Sequence, residues 1–175
     1  SAFGVYDETP WMRTLKEWIG FATEAETPMI GICFGHQVIA DALGGYVAKS
    51  DRGWGIGRHT YALDNLPRWL QTDRSEFALG VSHQDQVLQP PADASVIARS
   101  EFAAFAGLSY ARAPIVTFQG HPEFEDDFLR DLYDARRGNP LRDDQIADAH
   151  TSFGKPHDNR LVAGWLADFL RVHVD

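Results

Sequence analysis

The sequence predicts an α/β sandwich built on a mostly parallel central sheet. Strand-like and helix-like segments alternate through the 175 residues. Met29–Ile32 and Ile115–Phe118 are short apolar runs that each end in a polar cluster, as buried parallel strands do. A cysteine follows the first run directly, with a helical pattern behind it, and strand, nucleophile and helix in that order form an elbow.

The first helix is expected over Thr9 to Glu26. Thr9 resembles a cap, Pro10 suits the first helical position, and Trp11, Leu15, Trp18, Ile19 and Ala22 make one apolar face. Met29–Ile32 follows as a strand, and Gln37 to Leu43 has helical spacing. Gly31 and Gly35 lack a Cβ and would let this strand and helix approach around the turn. Gly44-Gly45 ends the helix, and Tyr46-Val47-Ala48 reads as a strand. Gly53-Trp54-Gly55-Ile56-Gly57 superficially suggests a phosphate loop but precedes no helix, so it is read as a turn entering a strand. Strands follow at Arg58 to Leu63, Phe77 to Ser82, Ser95 to Ala98 and Ala104 to Tyr110. Helices are expected over Phe124 to Arg136, Arg142 to Ala149 and Asn159 to His173.

Composition narrows the classes. The length suits one domain, and a 44% apolar fraction supplies a core. The net charge of −9 argues against a nucleic-acid surface. No apolar stretch is long enough for a membrane span. One cysteine cannot form an internal disulfide, which fits a reducing cytoplasm. No Cys/His group has zinc spacing, and no Gly-Lys-Ser/Thr phosphate motif is present, so neither metal nor cofactor is expected. The acidic run Glu123, Glu125, Asp126, Asp127 suits a helix N-terminus better than a cation site.

Chemistry concentrates at three places. Cys33 sits at the expected start of a helix, whose free N–H groups and dipole favour a thiolate. A lone cysteine is more commonly a small core residue. His121, however, follows the second strand at the edge where open α/β sheets carry their sites, and Glu123 lies two residues on across a proline. A cysteine, a distant histidine and an orienting carboxylate form a generalised triad. His36 lies beside Cys33 but lacks such a carboxylate partner.

Three segments in order, Gly31-Ile32-Cys33-Phe34-Gly35-His36-Gln37, Ser82-His83-Gln84-Asp85-Gln86-Val87 and Gly120-His121-Pro122-Glu123, resemble the class I (triad) glutamine amidotransferases. The middle segment looks like that of the GMP-synthase-like, stand-alone branch. The resemblance covers nearly the whole chain and is weakest in the last third. It implies a three-layer, flavodoxin-like fold. It implies Cys33 as nucleophile, His121 as general base and acid, and Glu123 as its orienting partner. The Phe34 N–H becomes an oxyanion donor, and Gln37, Ser82 and His83 help hold the substrate. A second oxyanion donor would come from a glycine-rich loop. Ser1-Ala2-Phe3-Gly4-Val5-Tyr6-Asp7 resembles only the tail of that loop, so the domain, 1–175, is expected to lack its N-terminal strands.

The implied reaction is hydrolysis of the glutamine side-chain amide through a cysteine thioester, releasing glutamate and ammonia. The implied partners are a small γ-glutamyl or glutamine substrate and a separate synthetase subunit that accepts the ammonia, with no nucleic acid or membrane. Two alternatives stay open: a γ-glutamyl peptidase or hydrolase, and a non-catalytic regulatory relative.

Overall fold

A computed structural model describes residues 3–174. Ser1, matched above to the glycine-rich loop, lies outside them. In chain order the elements are α1 (Pro10–Glu24), β1 (Met29–Ile32), α2 (Phe34–Ala42), β2 (Tyr46–Lys49), β3 (Gly55–Leu63), β4 (Glu76–His83), β5 (Asp85–Gln89), β6 (Ala94–Arg99), β7 (Gly107–Tyr110), β8 (Ile115–Phe118), α3 (Asp126–Asp134), α4 (Asp143–Ser152) and α5 (Asn159–His173).

A six-stranded sheet runs β1-β8-β7-β6-β3-β4, and β2 pairs with β5 in a separate ribbon. Helices cover both faces, as the expected three-layer α/β fold requires. Side chains alternate across the sheet. Met29 and Ile115 join α1 and α2 residues in one cluster, whereas Ile30 and Val116 pack with α5 through Val162, Trp165 and Phe169 in another.

The expectation of a mostly parallel sheet needs correction. Among the described residues only β1 and β8 run parallel, and the other ladders of the main sheet are antiparallel. Parallel neighbours need a crossover of about a dozen residues or more. The chain between β6, β7 and β8 makes only short turns, so these strands return antiparallel.

The helices also refine the sequence reading. Thr9 occupies the N-cap of α1, but its hydroxyl makes no capping bond; its carbonyl receives the Met12 N–H at 3.1 Å. The buried stripe of α1 is Met12, Ile19, Ala22 and Thr23, while Trp11 and Trp18 are 43% and 57% exposed. The acidic run opens α3 as expected, with Asp126 and Asp127 in its first turn. No helix among the described residues is long and apolar enough to cross a membrane.

Candidate active site

The one parallel pair sets the site. Its register places Ile32 opposite Phe118, so both strands deliver their next residues to the same edge of the sheet. Cys33 comes from β1, and Gln119 and His121 come from β8. The Cys33 N–H closes the ladder on the Phe118 carbonyl at 2.8 Å.

Cys33 then turns sharply into α2. Its φ of +50° and ψ of −98° lie in a region that costs a non-glycine residue about 1–3 kcal/mol. The fold holds this strain by close packing. A Cβ on Gly31 would lie 2.8 Å from the Gly35 carbonyl carbon and oxygen. Gly35 differs from the sequence reading, because a Cβ there would meet nothing within 4 Å. Only Gly31 is needed for the approach; Gly35 contributes the backbone that Gly31 must clear. Cys33 sits at the N-cap of α2, where unpaired N–H groups and the helix dipole favour anionic charge. Its side chain is nearly buried, at 6% exposure, yet it reaches a cavity of about 220 Å³.

Residues 117, 119 and 121 lie on the face toward α2, two apart as strand geometry dictates. Thr117 Oγ1 meets Nδ1 of the fully buried His36 ring at 2.7 Å. Burial lowers the His36 pKa to about 4, so this ring is neutral. The Gln119 side-chain amide donates to Cys33 Sγ at 3.6 Å and accepts from Gln37 Nε2 at 3.1 Å. Gln37 Nε2 also donates to the Asp85 carbonyl at 2.7 Å, tying the elbow helix to β5.

His121 completes the arrangement. Its Nδ1 stands 2.7 Å from Glu123 Oε1, and its ring stacks on Phe124 with centroids 3.9 Å apart. Burial opposes a charged ring here. Hydrogen bonding to Cys33 and to Glu123 outweighs it, and the His121 pKa is pushed up to about 9. Glu123 moves the other way: burial would raise it, but the His121 bond holds it below the ordinary carboxylate range. The His121 imidazole is therefore hydrogen-bonded to both the sulfur and the carboxylate, so the three groups form one string.

The remaining expected residues gather at the same cavity. Phe34, Gln37, Ser82 and His83 all line it. The His83 ring is buried, with Nδ1 3.0 Å from the Asp85 carbonyl, and burial drives its pKa down to about 3. Ser82 Oγ accepts from Arg136 at 2.8 Å. Phe3 and Gly4, from the segment resembling a glycine-rich loop, also reach the cavity. The Gly4 N–H is already engaged by the Asp7 carboxylate at 3.0 Å. Among the described residues no group of three or more His, Cys, Asp or Glu side chains is placed to hold a metal ion.

The family model for glutamine amidotransferase class-I matches residues 4–127, which span Cys33, the Ser82–Val87 segment, His121 and Glu123. The chain belongs to the class-I glutamine amidotransferase family.

Relatives of this amidotransferase domain agree. Gamma-glutamyl peptidase 2 of Arabidopsis thaliana is 34% identical over 137 residues, covering 77% of this chain and 55% of the relative. A glutamine-hydrolyzing GMP synthase subunit of Ignicoccus hospitalis is 36% identical over 120 residues, covering 69% of this chain and 60% of the relative. A crystal structure of a glutamine amido transferase from Methylobacillus flagellatus superposes with a TM-score of 0.78 at 25% identity, covering 97% of this chain and 72% of that one. A Thermotoga maritima glutamine amidotransferase gives the same TM-score at 21% identity, covering 99% and 74%, a likeness of fold. The chain spans 49% to 66% of the length of the first curated relatives it matches.

Sequence reasoning gave no role to several residues around the amidotransferase site. Gln119 could have been found, because the period of two from Thr117 to His121 puts it on the site face. Tyr6, Lys49, Trp54 and Arg136 line the cavity from four separate segments. No local spacing links them; only the tertiary fold does.

Proposed function

We propose that this chain hydrolyses a γ-glutamyl amide through a thioester on Cys33, with glutamine as the simplest substrate. The observation that carries the reading is the string Cys33–His121–Glu123 at a strained elbow that opens on a cavity. The Cys33 thiolate adds to the side-chain amide carbon, forming a C–S bond. The oxygen gains negative charge at the start of α2, where the Phe34 N–H serves as donor. His121 gives its proton to the departing nitrogen, and the C–N bond breaks to release ammonia. His121, now neutral, takes a proton from water as the water attacks the thioester. The C–S bond breaks, and glutamate leaves. Glu123 holds the imidazole tautomer and steadies its charge throughout. Gln119 orients the sulfur, and Gln37, Ser82 and His83 shape the substrate wall.

The same chemistry cleaves a γ-glutamyl peptide bond, with an amine leaving in place of ammonia. The γ-glutamyl peptidase relatives favour this as the second reading. The GMP synthase relatives, named as glutamine-hydrolyzing subunits, suggest a separate synthetase partner that would consume the ammonia. A free, low-exposure thiol suits a reducing compartment such as the cytoplasm. Residues 1–175 are read as one amidotransferase domain.

The test is glutamate release. The wild-type protein should release glutamate from glutamine or from a γ-glutamyl peptide, and Cys33→Ala should release none while keeping its thermal midpoint. Equal release by the two proteins would overturn the reading.

A further inference from the structure

The cavity wall also carries a guanidinium that no carboxylate pairs with among the described residues. Arg136 lies half-buried just beyond α3. Its Nη1 donates to Ser82 Oγ at 2.8 Å, and its guanidinium lies over the Trp54 ring, 5.5 Å from the centroid. The chain carries 25 acidic against 16 basic residues, yet no carboxylate among the described residues pairs with Arg136. The nearby acids of the cavity are engaged elsewhere. Asp85 accepts the Tyr6 hydroxyl at 3.1 Å, and Asp7 accepts the Gly4 N–H at 3.0 Å. Lys49 also lines the cavity, but it is an exposed point charge on a flexible stem. Arg136 is held from two sides, so its remaining N–H donors are fixed before any ligand arrives.

From this placement we infer that Arg136, seated on Trp54 and anchored by Ser82, receives the α-carboxylate of the γ-glutamyl substrate and selects for it. The inference rests on the amidotransferase reading of Cys33. With the side-chain amide at the sulfur, the α-carboxylate is the anionic group that every γ-glutamyl donor carries. A guanidinium presents it with a planar fork of matching donors. Arg136 lies beyond the residues matched by the family model, 4–127.

The experiment compares two electrophiles on Cys33. One is the glutamine analogue in which a chloromethyl ketone replaces the side-chain amide. The other is the same compound with its α-carboxylate converted to an amide. In both, Cys33 sulfur forms a C–S bond as chloride leaves, and the adduct is read by intact-protein mass. The wild-type protein should label faster with the carboxylate form, by about ten- to a hundredfold, as loss of one charged hydrogen-bond partner implies. Arg136→Met should bring that ratio close to one, and Ser82→Ala should reduce it part-way. Arg136→Lys keeps the charge without the fork and should fall between, which guards against misfolding of the Met variant.

A ratio near one in the wild type, or a high ratio that survives in Arg136→Met, overturns the carboxylate role and leaves the amidotransferase reading standing. Labelling by both compounds no faster than a free thiol overturns both.

Discussion

Replacing Gly31 with alanine tests whether close approach of strand and helix builds the elbow. The new Cβ would stand 2.8 Å from the carbonyl carbon and oxygen of Gly35 and 2.9 Å from Ile39 Cδ1. Carbon pairs are comfortable at about 3.5–4.0 Å, so the elbow must retreat by roughly 0.7 Å. The Ile39 methyl can rotate away. The Gly35 peptide cannot, because it lies in the first turn of α2 directly after the strained Cys33. Overpacking of this kind costs about 1–3 kcal/mol, and each kcal/mol lowers the thermal midpoint by about 2–4 °C in a domain of this size. Misplacing a reacting atom by about 1 Å costs on the order of a hundredfold in rate, so Cys33 alkylation should slow by about tenfold or more. Gly35→Ala is the matched control. Its Cβ meets nothing within 4 Å, so the helix should gain about 0.5–1 kcal/mol and the midpoint should rise. Thermal melts and alkylation rates of the two variants decide the matter. A Gly31→Ala protein as stable and as reactive as the wild type would refute the packing account.

Three further outcomes follow from the same geometry. Glu123→Gln removes one of the groups that raise His121, so the His121 pKa should fall from about 9 toward its ordinary value, as followed by the imidazole NMR shift; an unchanged titration would deny Glu123 its role. Gln119→Leu removes the amide that faces the sulfur and bonds Gln37, and Cys33 alkylation should slow severalfold while the melt shifts down by about 1–3 kcal/mol, the penalty for stranding a buried polar partner. Acid should destabilise the fold steeply. Burial lowers His36 and His59 to about 4 and His83 to about 3, so as pH falls below 6.5 the unfolded chain takes up as many as three protons that the fold refuses. Stability therefore falls as pH drops below about 6.5, by up to about 4 kcal/mol per pH unit. His121 has the opposite sign, since its raised pKa of about 9 stabilises fully below 6.5 and is lost as pH climbs through 9. Urea midpoints against pH should peak near neutrality, and a flat profile from pH 6.5 to 4.5 would contradict neutral burial of the three histidines.

Much of the fold and of the candidate site was legible in local sequence. The final helix carries its own period and occupies 159–173 as expected. Cys33, His121 and Glu123 each follow a short apolar run, and the sheet brings them together because β1 and β8 are its parallel pair. Sheet direction was less legible. The clue was present in the lack of any helical pattern between Gly55 and Phe118, which leaves strands joined by short turns and so antiparallel. β5 escaped notice because Asp85–Gln89 is brief and polar at its start, and it pairs only with β2. The Trp11–Trp18 face of α1 misled because aromatic residues weigh heavily in an apolar stripe, whereas Met12 and Ile19 fill the space next to α2 and the sheet. Arg136 and Trp54 were invisible as a pair, since residues so far apart in sequence meet only after folding.

The central claim is that Cys33 forms a covalent γ-glutamyl intermediate. The most direct measurement is intact-protein mass after mixing with glutamine, or with a γ-glutamyl peptide, and quenching rapidly in acid. The account predicts a transient increment of one γ-glutamyl group on Cys33 in the wild type, accumulating further in His121→Ala when an activated γ-glutamyl anilide replaces the peptide, and absent in Cys33→Ala. Glutamate production with no such adduct on Cys33, or with the same adduct in Cys33→Ala, would contradict it.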